Sequence, residues 1–164
     1  MYPLVISKTF IPTMKHIFDL LLPHQVDRTI HGMKLPVYVF IVIAIISFVR
    51  SCIHLFTPDG GAGSIAGIDL SVAGADGIIF AFALWGSAQL IYSLIQLLVA
   101  FRYRSLVPLM YVLLILETLL REMVGHMKPI VFAHTPPGAV MNSIYLPLSF
   151  IMLILCLWKK DKSS

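Results

Sequence analysis

Charge is scarce in this chain. Asp, Glu, Lys and Arg make up 12% of its 164 residues while 59% are hydrophobic, against roughly a quarter charged and half apolar in a soluble domain. That balance excludes an ordinary water-soluble globule. Cysteine is almost absent, with only Cys52 and Cys156, both inside apolar stretches. Neither a disulfide framework nor a thiolate metal site can be built from that pair, which reads as two small buried apolar residues. The net charge of +4 gathers on no single face and accompanies no recognition motif, so nucleic acid is not an expected partner. Internal repeats and low-complexity tracts are missing too. No cleavable signal peptide is expected, because the first long apolar core begins only near Pro36.

The apolar residues are concentrated in four segments, at about 36–56, 78–101, 106–127 and 143–158. Each is long enough to approach or cross a hydrocarbon layer, where backbone groups must pair within a helix. The expected fold is therefore all-α, an integral membrane bundle of four transmembrane helices over 36–158. Residues 1–35 form a separate segment. Phe10, Ile11, Met14, Ile17, Phe18 and Leu21 recur at helical spacing opposite Lys15, His16 and Asp19, which predicts an amphipathic helix lying at the interface or packed beneath the bundle. Pro12 suits its first turn and Pro23 its end. Residues 159–164 form a basic tail.

Lysine and arginine fall unevenly about the spans. Lys8, Lys15, Arg28 and Lys34 precede the first; Arg102 and Arg104 sit in the turn after the second; Lys159, Lys160 and Lys162 follow the fourth. These nine face Lys128 alone on the other side, so both termini are expected in the cytoplasm, with a bacterial inner membrane as the location. Two outer loops follow. One is Gly-rich and runs from Thr57 to Gly77; without a Lys-Ser/Thr end or regular acidic spacing it is neither a phosphate cradle nor a calcium loop. It reads as a flexible connector in which Ile65, Ile68, Leu70 and Val72 can dip back onto the bundle. The second, Lys128 to Asn142, contains His134 and a Pro136-Pro137-Gly138 breaker.

The third segment, LVPLMYVLLILETLLREMVGHM, carries Glu117, Arg121 and Glu122 in its second half. Charge inside a membrane is costly and tends to face a partner or a water-filled cavity. The other segments offer such partners. Ser47, Arg50, Ser51 and His54 share one helical face, as do Trp85, Gln89, Tyr92 and Gln96, and the fourth segment adds Tyr145 and Ser149. At about 1.5 Å per residue, Gln89 and Glu117 lie near the midplane, with Arg50 roughly 5 Å and Arg121 roughly 7 Å further out. The candidate layer is thus Arg50, His54, Trp85, Gln89, Tyr92, Glu117 and Arg121.

Three uses of this layer compete. The first is structural, with Arg50 pairing to Glu117 across helices. The second is a binding site, where a surplus guanidinium holds a lipid head group, a quinone or another anionic ligand. The third is an enzyme acting on a lipid or quinone-like substrate with Glu117 or His54 as acid or base. No nucleophile–base pair supports the enzyme, so a non-enzymatic membrane subunit or a ligand-binding or transport protein is the leading expectation. His54, Glu122 and His126 approach a metal-ligand set, but their spacing is not diagnostic and no metal is expected. No cofactor is indicated. Four spans make a thin wall for a transporter, so a homo-oligomer or a larger membrane complex is the expected assembly.

Overall fold

The computed structural model describes residues 14–30 and 32–158. These form five α-helices: α1 Met14–Leu21, α2 Leu35–Phe56, α3 Ala75–Phe101, α4 Val107–Met127 and α5 Pro137–Leu157. No strand occurs among the described residues. Three helices, α2, α3 and α5, are long and apolar enough to cross a membrane. The fourth expected span, α4, is as long but stands outside that class, because Glu117, Arg121 and Glu122 fall within it.

Two hairpins make the bundle. α2 lies along α3 and α4 along α5, with α2 also touching α5, whereas α3 and α4 meet only sparsely. Gly86 explains how closely α2 approaches α3: a Cβ there would sit 2.8 Å from the His54 carbonyl carbon and from the Leu55 nitrogen. The turn from α3 to α4 is a single 3-10 turn at Arg104–Leu106. Ser105 anchors it to the chain before α2, since the Asp27 amide donates to Ser105 Oγ at 3.0 Å and Ser105 Oγ donates to the Asp27 carbonyl at 3.1 Å.

This end of the bundle holds the core. Val37, Phe40 and Ile43 of α2 pack with Val99 and Ala100 of α3, Val107, Met110, Tyr111 and Leu114 of α4, and Tyr145, Met152 and Cys156 of α5. Phe40 meets Tyr111 edge to face at 5.7 Å between centroids, the arrangement that the ring quadrupoles favour. The Tyr111 hydroxyl donates to the Pro36 carbonyl at 2.7 Å. Gly32 presses on the end of α5, where a Cβ would lie 2.1 Å from the Cys156 carbonyl oxygen. Cys156 is buried here, as expected of a small apolar residue, and Cys52 is half-buried.

Several expected boundaries shift. α5 begins at Pro137, inside the loop read as a breaker. A proline in the first helical turn gives up an N–H that has no partner there, and its fixed φ suits the helix, so the signal marks a start. Pro147 lies inside the same helix. The Gly-rich loop is built rather than slack. Asp59 accepts from the Gly61 amide at 2.8 Å and the Ser64 amide at 2.7 Å, and Ala62 and Ala66 are buried. Ile65, Ile68 and Leu70 are half-buried, but Val72 is exposed. The second loop straps over it: the Ala133 amide donates to the Gly67 carbonyl at 2.9 Å, and His134 Nε2 lies 3.2 Å from the Ile65 carbonyl.

α1 ends before Pro23. It buries Leu20 and touches α4, while Met14 and Phe18 of the expected apolar stripe are exposed. Phe10 and Ile11 of that stripe, Pro12 of its expected first turn, and the basic tail at 159–164 lie outside the described residues.

Candidate functional site

Each helix brings its polar stripe to a layer above the apolar core. On α2, Ser51 is buried and its hydroxyl donates back to the Ser47 carbonyl at 2.7 Å, a local bond that satisfies a hydroxyl where water is scarce. Just before it Arg50, and one turn after it His54, extend toward α3. On α3, Gln89 and Gln96 are buried and Trp85 keeps an exposed edge. On α4, Arg121 forms an ion pair with Glu117 one turn before it.

Gln89 joins the three helices. In the carboxamide orientation that sets acceptor against donors, its oxygen accepts from Arg121 Nη2 at 3.0 Å, Trp85 Nε1 at 3.1 Å and Arg50 Nη2 at 3.2 Å. Arg50 Nη2 stays within 3.4 Å of the carboxamide in the opposite orientation. Trp85 is the second hub. The guanidinium carbons of Arg121 and Arg50 lie 5.6 and 5.9 Å from its ring centroid, within cation–π range. His54 and Phe82 stack around the same indole at 5.0 and 5.9 Å.

Between α3 and α4 the layer opens into a side-facing cleft of about 380 Å³, lined by Trp85, Ala88, Gln89, Tyr92, Leu113, Leu116, Glu117 and Leu120. That volume falls within the range of small-molecule sites. A second crevice, at the core end beside Gly32 and Cys156, holds only about 10 Å³, room for one water at most.

Of the seven residues expected to converge, six do so. Arg50, Trp85, Gln89, Tyr92, Glu117 and Arg121 form the polar side of the cleft or support it. His54 adjoins through its ring, but its Nδ1 lies 2.8 Å from the Gly60 carbonyl and serves the outer loop. The expected Arg50–Glu117 ion pair does not form. Glu117 has Arg121 on its own helix at the favourable i,i+4 spacing, so Arg50 turns to Gln89 instead. Glu122 and His126 are exposed, and among the described residues no three metal-ligating side chains come together.

Three buried side-chain atoms lack a hydrogen-bond partner: Arg50 Nε, Gln96 Oε1 and Ser149 Oγ have none among the described residues. Two guanidinium groups against the Glu117 carboxylate leave one positive charge in surplus.

No family model, curated protein or solved structure matches this chain. The chemistry of the cleft is therefore the basis for a functional reading. Sequence reasoning missed the apolar wall, Ala88, Leu113, Leu116 and Leu120, because leucines on a membrane helix look alike whether they face lipid or a cleft. Gly86 carried a faint signal, as one of several small residues enriching the first half of α3. The loop's Asp59 was visible only as an acidic residue; the Ser64 and Gly61 amides now hold its carboxyl down at about 2.

Proposed function

We propose that this chain is a multi-pass membrane protein that binds an amphipathic ligand sideways, from the bilayer, in the cleft between α3 and α4. One observation carries the reading: the cleft has leucine and alanine on one side and Trp85, Gln89, Tyr92 and Glu117 on the other, with the Arg50 and Arg121 guanidinium groups held against Gln89. A ligand that matches both must have an apolar body and an oxygen-bearing head. In this reading α4 crosses the membrane with the other three long helices. Its charges are tolerated because Glu117 and Arg121 pair on the side that meets Gln89. The termini lie in the cytoplasm and the two strapped loops outside, supported by the nine-to-one basic asymmetry. Binding, rather than catalysis, fits a layer whose one carboxylate, Glu117, is held by Arg121 and whose His54 Nδ1 lies against the Gly60 carbonyl. Assembly into a homo-oligomer or larger membrane complex remains part of the proposal.

Photo-crosslinking tests it. A long-chain probe carrying a diazirine along its tail is expected to label Ala88, Leu113, Leu116 and Leu120 in membranes. Ala88→Trp should suppress that labelling, while Leu119→Trp, exposed and outside the cleft, should not. Labelling spread evenly over every exposed helix face overturns the cleft. Topology is checked separately, since Ser64→Cys and Thr135→Cys should react with an impermeant thiol reagent from outside the cell.

A further inference from the structure

Three N–H donors converge on one neutral oxygen in this layer. A carboxamide oxygen has two lone pairs, yet Gln89 faces Arg121 Nη2, Trp85 Nε1 and Arg50 Nη2 together. Arg50 Nε, on the same edge of the guanidinium as Nη2, is buried with no partner among the described residues. The cluster thus offers more donors than its acceptor can satisfy, and it carries one surplus positive charge. A carboxylate fits both excesses. It has two oxygens with about four lone-pair sites and takes a guanidinium edge in a bidentate grip.

We propose that Arg50, Arg121 and Trp85 form a carboxylate receptor for a single-chain amphiphile such as a long-chain fatty acid, and that the Gln89 oxygen occupies the place of a carboxylate oxygen. The inference rests on the cleft being a ligand site and names its ligand class. The carboxylate enters from the side of Trp85, displaces the Gln89 carboxamide and meets the Arg50 Nε–Nη2 edge, Arg121 Nη2 and the indole N–H. The tail lies along Ala88, Leu113, Leu116 and Leu120. Charge complementarity selects the acid: one negative head cancels the one unpaired guanidinium, and a neutral ester does not. No covalent step is involved.

Trp85 supplies the readout. The chain has two tryptophans, so in a Trp158→Phe background Trp85 is the sole indole. The full-length protein is placed in phosphatidylcholine nanodiscs at alkaline pH and titrated with 9,10-dibromostearate, whose bromines quench a nearby indole. Saturable quenching is expected with the acid, and binding about tenfold weaker with its methyl ester or in Arg121→Gln, the worth of one charge-assisted hydrogen bond. Gln89→Ala removes the competing oxygen and should tighten binding. Gln89→Glu places a carboxylate in the receptor from within the chain; it should raise the melting temperature and abolish quenching by the acid.

Equal saturable quenching by acid and ester overturns the carboxylate receptor and leaves the cleft as an apolar site. Quenching by neither, beyond bulk partition, overturns the cleft itself. Displacement of the brominated acid by lysophosphatidate at lower concentration than by stearate assigns the receptor to phosphate and overturns the carboxylate. A lowered melting temperature in Gln89→Glu, with Gln89→Ala unchanged, overturns the donor surplus without any ligand in the sample.

Discussion

The two halves of the bundle are built on opposite rules. At the core end Phe40, Ala100 and Tyr111 are fully buried, at 0% exposure each, and the tyrosine hydroxyl has its carbonyl. In the other half Trp85 is 41% exposed, α3 and α4 part, and three helices meet through a carboxamide and two guanidinium groups. Helices in lipid gain little from burying apolar surface against each other, so close packing and satisfied polar groups must hold them. The core end uses shape. The polar half uses charged hydrogen bonds whose donors exceed their acceptors. Close packing and donor surplus are thus separated along the helix axes.

The largest blow to this contrast should come from the packed half. Phe40→Ala removes a fully buried ring of the core cluster and is expected to cost about 3–5 kcal/mol, as such truncations do in protein cores. Phe80→Ala, at a position 68% exposed, should cost far less. Chemical denaturation in detergent compares the two, and equal losses would mean that the core end is no better packed than the surface.

Gly86→Leu tests the polar half, where α2 and α3 approach closely. Its side chain must enter the space of the His54 and Leu55 backbone, so α2 and α3 have to separate, at about 1–3 kcal/mol. Gly125→Leu is the control, because nothing lies within 4 Å of a Cβ there. Thermal melts should show a clear drop for the first and almost none for the second; similar drops would remove close approach as the reason for Gly86.

Tyr111→Phe keeps the ring and deletes the hydrogen bond to the Pro36 carbonyl, at about 1 kcal/mol. Native-state hydrogen exchange should show faster opening at the start of α2 and no change in the Gly-rich loop. Faster exchange in that loop would mean that the two ends are not independent.

The smallest effect belongs to acid. Asp59 is held from 3.8 down to about 2 by the amides of Ser64 and then Gly61. A depressed carboxyl stabilises the fold above its unfolded value and ceases to do so as pH falls through the folded one. The loop clip should therefore weaken between about pH 4 and pH 2, by an amount kept small by exposure to solvent. In the Ser64→Cys protein, labelling by an acid-tolerant thiol reagent should rise across that window, and Asp59→Asn should label fast at every pH. A flat profile in the parent would show that the amides do not hold the loop.

How much of this was legible from the chain varies with the kind of information needed. Length and apolar composition mark α2, α3 and α5 as membrane-crossing candidates, because a helix in lipid must satisfy its own backbone. Helical periodicity likewise places Arg50, Trp85, Gln89 and Glu117 on inward stripes. It could not say where α5 starts, since Pro137 can end one segment or begin the next. It could not decide Arg50's partner either. By its spacing Glu117 could take either Arg50 or Arg121, and only the packed helices show the ion pair going to Arg121 and Arg50 turning to Gln89. The cleft belongs wholly to the tertiary structure. Periodicity fixes the direction of a side chain relative to its own helix axis. The gap between two axes is set by what packs elsewhere, here Gly86 drawing α3 onto α2 and the core drawing α4 onto α5.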